Sequence, residues 1–286
     1  MKHQSICARG ILLFCIGIVL LVGCQRTQPT DSSPDPSPPA AVSVPSDLQT
    51  TVTQLVSAVE TFDIPHILDA YAEDFLSGSG RSREDIRRVF TQLRARNVKL
   101  EVEKAEIENV TEGNANLRTQ IRLRYLDRFR DLGEGEVVIT DVLRHTLRKG
   151  EPGWKIHADD RVSTYREGRY GPRSPNARLE VPSQLPTEAY TATITVPREP
   201  DTEYQVMVGN YAEDPAMLPP PDIVLPLPED GVLAAPLLPN PQGRGEMVRV
   251  TVIAATPDGE WLGATTVSRF IPGAPREGKA QEQKRL

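Results

Sequence analysis

Cysteine is nearly missing from this chain: of 286 residues three are Cys, at positions 7, 15 and 24, and none follows. Beyond residue 24 no disulfide can form, so any fold there rests on buried apolar surface, which domains of about 100 residues or more supply comfortably. Aromatic residues make up only 5% of the sequence. His66, His145 and His157 are scattered, without a His-x-x-x-His pair or a Cys cluster, so no metal site is expected. The acidic pair Asp159-Asp160 lacks the further oxygen ligands that a hard cation requires. No motif names a reaction, and no cofactor is expected. Long apolar runs are missing too: the longest, residues 11–22, is too short to span a bilayer comfortably.

That run is nevertheless the most informative stretch. Lys2 and Arg9 precede it, and it ends in Leu21-Val22-Gly23-Cys24. A basic flank, a short apolar core and a small residue before the cut are what an export signal requires. The Leu-Val-Gly-Cys ending resembles the lipobox of bacterial lipoproteins. The resemblance implies that residues 1–23 are a signal peptide and that Cys24 becomes a palmitate-type lipidation site. A plain membrane-anchor helix is the alternative. Acyl chains contribute roughly 0.8 kcal/mol per buried methylene, enough together to hold a chain at a membrane. Gln25 stands where an inner-membrane retention signal would place Asp, so the expected site is the outer membrane, facing the periplasm. Lys2 and Arg9 are the only charges before Cys24, so losing that segment takes the net charge from −6 to −8. Such an acidic chain is not expected to bind nucleic acid.

Residues 24–46 are rich in Pro and Ser and read as an extended tether after the lipidated Cys24. Helical spacing follows in Leu48, Val52, Leu55, Val59 and Phe62, with Ser46 as N-cap. A second short helix is predicted from Asp63 as cap and Pro65 in the first turn, through Ile67, Leu68 and Tyr71 to Phe75. Ser82 and Asp85 have capping-box spacing for a third helix that buries Ile86, Val89, Phe90 and Leu93. The period then changes to two, predicting strands over 98–109, 115–125, 136–147 and 154–163. Within the first of them the apolar parity switches after Val102, which predicts a bulge near Lys104.

Helices followed by a long antiparallel meander define an α+β domain over 47–166, with the helices covering one face of the sheet. The runs HILDAYAEDF, NVKLEVEKAEIENVTEGNANLRTQIRLRY and LRHTLRKGEPGWKI resemble the nuclear transport factor 2-like superfamily, which includes ketosteroid isomerase and polyketide cyclase relatives. The resemblance implies a cone-shaped domain with a pocket. Gly and Pro at 167–176 predict a linker. Seven short strand patterns over 177–272 then predict an all-β immunoglobulin-like sandwich, and 273–286 reads as a disordered tail.

On the strand at 136–147, Val137, Ile139, Asp141, Leu143, His145 and Leu147 share the more apolar face. Facing a cone interior, Asp141 and His145 would have their pKa values moved by desolvation, as catalytic groups do. Four residues apart on a strand is about 13 Å, too far for a direct hydrogen bond between them. Tyr71 is the third pocket candidate. Each is also read as structural: His145 bonded to a neighbour, Asp141 at a bulge, Tyr71 in the core. Arg83, Arg87 and Arg94, with Arg88 and Arg96, form a basic face on the third helix, either solvated or turned to anionic headgroups or an acidic partner. The preferred reading is a non-enzymatic, lipid-anchored envelope module that binds a protein or a small apolar ligand. A lipid-anchored isomerase- or cyclase-type enzyme and a structural spacer are the alternatives. Cys24→Ser is expected to release the protein from the membrane fraction, and a labelled fatty acid to tag the wild type and not the variant.

Overall fold

The computed structural model describes residues 43–129, 133–212, 222–241, 243 and 245–273. Cys24, its signal and nearly all of the tether and tail lie outside them. Three helices come first, α1 (Ser46–Glu60), α2 (Ile64–Asp69) and α3 (Arg83–Ala95). The strands follow as β1 (Lys99–Thr111), β2 (Asn114–Arg128), β3 (Glu134–Gly150), β4 (Gly153–Tyr170), β5 (Arg178–Glu180), β6 (Tyr190–Thr195), β7 (Glu203–Ala212), β8 (Ile223–Pro226), β9 (Val232–Leu237), β10 (Glu246–Ala255) and β11 (Trp261–Ile271). No helix among the described residues is long and apolar enough to cross a membrane.

The helices form largely for the reasons their sequences give, except that Ser46 is the first residue of α1 and not its cap: Pro45 takes the cap position and no side chain caps the helix. In α1 Leu48, Val52, Leu55 and Val59 fall on one buried stripe, and Phe62, at φ 53, turns the chain out of the helix. The Asp63 carboxylate accepts from the His66 amide at 3.3 Å and so caps α2. α2 stops at Asp69, earlier than its sequence suggests, because the next residues turn to the sheet: the Ala72 amide donates to the Ile156 carbonyl and the Ile156 amide to that of Ala70. Ser82 and Asp85 form the predicted capping box. Helix α3 buries only Ile86 fully, leaving Val89, Phe90 and Leu93 half-exposed.

Two sheets, wholly antiparallel, hold the strands. One has eight strands in the order β1-β2-β3-β4-β11-β10-β7-β8, and the other has three in the order β5-β6-β9. α1 and α2 pack against the first strands, where Leu117, Leu147, Trp154 and Ile156 meet Leu48, Leu55, Ile67 and Phe75 in one core. A second core lies between the sheets, where Ala192, Ile194 and Leu233 oppose Val206, Val208, Val248, Val250 and Val252. The predicted bulge is present in β1, where pairing skips from Val102 to Lys104. There the Val102 amide, on the open edge of the sheet, donates to the Glu60 carboxylate at 3.1 Å.

The first four residues of the linker predicted at 167–176 are strand. β4 runs on to Tyr170, and its residues 165–170 pair with 269–264 of β11, which joins the helical half to the sandwich half in one sheet. Glycine misled the sequence reading because here it makes room and does not break the strand. A Cβ on Gly168 would lie 2.8 Å from the Tyr170 hydroxyl, and one on Gly135 would lie 2.4 Å from the Tyr170 ring. The turn comes only at Gly171, at φ 78.

Backbone amides of residues 165–170 are expected to exchange with deuterium as slowly as those of β10, and limited proteolysis is expected to spare them. Replacing the fully buried Leu117 with Ala should cost about 2–5 kcal/mol. The half-exposed Leu143, expected from its parity to lie deep in the cone, should cost well under that.

Candidate functional site

Residues opposite one another in an antiparallel pair share a face, so register identifies the inner face of the helical half. β4 carries two extra residues, His157 and Val162, which places Ile156, Asp159, Arg161, Thr164 and Arg166 on one side, opposite Leu147, His145, Leu143, Asp141 and Ile139 of β3. Apolar near the helices, this face turns polar further along the strands.

His145 is 3% exposed; its Nε2 lies 3.0 Å from the Thr119 hydroxyl, and its buried Nδ1 has no hydrogen-bond partner. Burial pushes its pKa down from 6.5 to about 4, so the imidazole is neutral at physiological pH. Asp141 accepts from the Thr164 hydroxyl at 2.5 Å and sits 4.0 Å from the Arg161 guanidinium. Tyr71 is 8% exposed and packs edge-on against Phe75, with ring centroids 4.7 Å apart. Burial, and after it the Asp159 carboxylate, pushes the Tyr71 phenol well above its ordinary pKa. These three candidates share a side of the sheet, yet the hydrogen bonds of Asp141 and His145 go to threonines and not to each other.

Most of the remaining candidates have local partners. The Asp160 carboxylate lies where a Cβ on Gly78 would be, and the Asp159 carbonyl accepts from the Gly78 amide at 2.7 Å, so the acidic pair packs against the loop before α3. His66 pairs with Asp63 at 2.7 Å and His157 with Asp74 at 3.2 Å. On α3, Arg87 pairs with Glu84, Arg88 with Asp85, and Arg83 reaches both Asp69 and the Leu68 carbonyl. Among the described residues no group of three His, Cys, Asp or Glu is placed to hold a metal.

A cleft of about 270 Å³ opens where the two halves join, on the same inner face. From the helical half come Asp127, Arg128, Phe129, Arg166 and Tyr170, the Arg128 amide donating to the Asp127 carboxylate at 3.0 Å; from the sandwich half come Met207, Tyr211, Asp222, Arg249, Thr251, Thr266 and Ser268. Each half contributes one ion pair. Arg166 donates to Asp127 at 3.4 Å, and one Arg249 nitrogen donates to both Asp222 oxygens at 3.0 and 2.9 Å. The Arg249 guanidinium also lies over the Tyr211 ring, 5.7 Å from its centroid. Phe129 and Tyr170 form a tilted ring pair at 5.1 Å. Burial first, and then the neighbouring Asp127 carboxylate, raises the Tyr170 phenol above its usual pKa, so this wall stays uncharged. Gly209 is required: a Cβ there would lie 2.2 Å from an Asp222 carboxylate oxygen and push it off Arg249.

The sequence reading missed this cleft, because each half of it is unremarkable alone. A signal was available in β10, where Val248, Val250 and Val252 on one face alternate with Arg249 and Thr251 on the other, as a strand with one apolar and one polar face shows.

No family model and no curated protein matches the chain. Among solved structures, a putative scytalone dehydratase from Novosphingobium aromaticivorans is 13% identical over 41% of this chain and 83% of its own, with a TM-score of 0.33. A putative aromatic ring hydroxylase from the same organism is 21% identical over 40% and 85%, with a TM-score of 0.32. An NTF2-like protein of unknown function from Pseudomonas putida is 15% identical over 40% and 82%, with a TM-score of 0.29. A further match, Bd1075 of Bdellovibrio bacteriovorus, is 18% identical, and only 40% of its length is spanned.

Because the folded-state pKa of His145 is depressed, its contribution to stability is fully present above pH 6.5. It is lost as pH falls from 6.5 towards 4, since the unfolded chain takes up the proton first. That contribution is on the order of 3 kcal/mol. Measured from pH 7 to pH 4.5, the denaturation midpoint of His145→Gln is expected to fall less than that of the wild type. Equal falls would mean that His145 is not a buried neutral imidazole.

Proposed function

We propose that this protein is a lipid-anchored envelope binding module, held at the outer membrane through Cys24, whose ligand occupies the cleft between its two halves. The observation that carries the proposal is the cleft itself: two arginine–aspartate pairs and three aromatic rings converge there from both halves. The helical half is taken as nuclear transport factor 2-like, on the helix and strand order and the motifs quoted above. The sandwich is taken as immunoglobulin-like. Its first, second and fifth strands form one sheet, while the third, sixth and seventh lie together in the other, as in that class.

Binding is preferred to catalysis because none of Tyr71, Asp141 and His145 lines the cleft. A half-buried carboxylate, Asp141, and the neutral His145 imidazole on the same inner face keep the isomerase- or cyclase-type enzyme as the second reading. The two are separated by a fragment screen followed by amide chemical shifts on the full chain carrying Cys24→Ser. Binding in the cleft would move signals of residues 127–129, 166–170, 207–211, 249–251 and 266–268. Shifts centred on 141–145 and Tyr71 would overturn the proposal in favour of the enzyme.

A further inference from the structure

The cleft's charges are ordered, and their order defines a ligand. Arg249, Ser268 and Arg166 stand opposite one another on three adjacent strands, β10, β11 and β4. Strand spacing puts the two arginine backbones about 10 Å apart, with the Ser268 side chain between them. Outside each arginine sits its carboxylate, Asp222 on one side and Asp127 on the other. Across the cleft the sequence of charge is therefore negative, positive, hydroxyl, positive, negative, with Arg128 beside Asp127 at the far end.

Such an arrangement selects by charge distribution and not by net charge. A simple anion placed between the arginines also meets two nearby carboxylates, and a simple cation near either carboxylate meets an arginine. A molecule carrying both charges a few Å apart meets neither conflict. Each guanidinium has five N–H donors, and the two pairs use one nitrogen of each. Fork-shaped donors on either side of a hydroxyl suit a carboxylate, which accepts from both sides at once. The aromatic pair Phe129–Tyr170 at one end and Tyr211 at the other offer apolar surface to whatever body the charged head carries.

Resting on the reading of the cleft as a binding site, we infer that its ligand is a small zwitterion of the amino-acid class. Its carboxylate lies over Ser268 between Arg166 and Arg249, its ammonium is held by Asp127 or Asp222, and an apolar side chain lies against the rings. Gly209 supports the site indirectly by letting Asp222 reach Arg249.

Three probes that share one body test this on the full chain carrying Cys24→Ser: phenylalanine, phenylalaninamide, which lacks the carboxylate, and 3-phenylpropionate, which lacks the ammonium. Titration followed by amide shifts of residues 166–168, 249–251 and 266–268 is expected to show phenylalanine binding at least tenfold more tightly than either analogue. Arg166→Gln and Arg249→Gln should each weaken phenylalanine by tenfold or more. The analogue series uses the unaltered cleft, so it decides the matter even if a variant fails to fold. Equal binding of phenylpropionate would make this a plain anion site, and equal binding of the amide would remove the carboxylate's role; either result overturns the inference. So does the absence of shifts with all three. If the fragment screen still perturbs the cleft in that case, only the ligand class is lost and the binding reading stands.

Discussion

Everything specific to this molecule depends on six residues of β4 pairing with six of β11. Without that ladder the helical half would end at a four-stranded sheet and the sandwich would hang from its last strand by a loop. With it, the backbone hydrogen bonds of one sheet run unbroken through both halves, from β1 to β8. Backbone pairing fixes relative position more tightly than side-chain contact between domains does, since inter-domain interfaces ordinarily permit motion. A site assembled from both halves can thus hold its geometry before a ligand arrives.

The ion pairs in the cleft matter for direction more than for stability. Asp127 and Arg166 are each more than a third exposed, and such pairs contribute on the order of 0–1 kcal/mol to folding. Asp222 is the better shielded, at 15%, and is held by both its oxygens. What the carboxylates supply is a fixed orientation for guanidinium groups that would otherwise sample many rotamers. The conformational entropy of ordering them is lost on folding, so a ligand of the kind proposed would not have to bear it.

Local signals in the sequence were read well where they act locally. Capping residues Asp63 and Ser82, the α1 stripe and the parity switch at Lys104 each encode their element within a few positions, and so do all eleven strands, apart from the last seven residues of β4. The join between the halves was not legible, because glycines at 135 and 168 carry the same letter whether they break a strand or make room for the Tyr170 ring. The inner face was legible only in part. Strict alternation identified Asp141 and His145 on β3, but the extra residues His157 and Val162 bring Asp159, Arg161, Thr164 and Arg166 to one face against their numbering, and nothing local announces that. The cleft was wholly hidden, since Asp127 and Arg249 lie 122 positions apart and meet only through strand order.

Eight strands in an open sheet leave two margins, and each is shielded. Along β1 charged residues recur, the bulge at Glu103 breaks the regular spacing, and the Glu60 carboxylate already occupies the Val102 amide. At the other margin β8 is only four residues long and ends in Pro226, which has no amide hydrogen to offer. A neighbouring polypeptide seeking to continue the sheet would find few consecutive donors and acceptors on either side. Crowded copies of this protein are thereby kept from zipping this sheet together strand by strand.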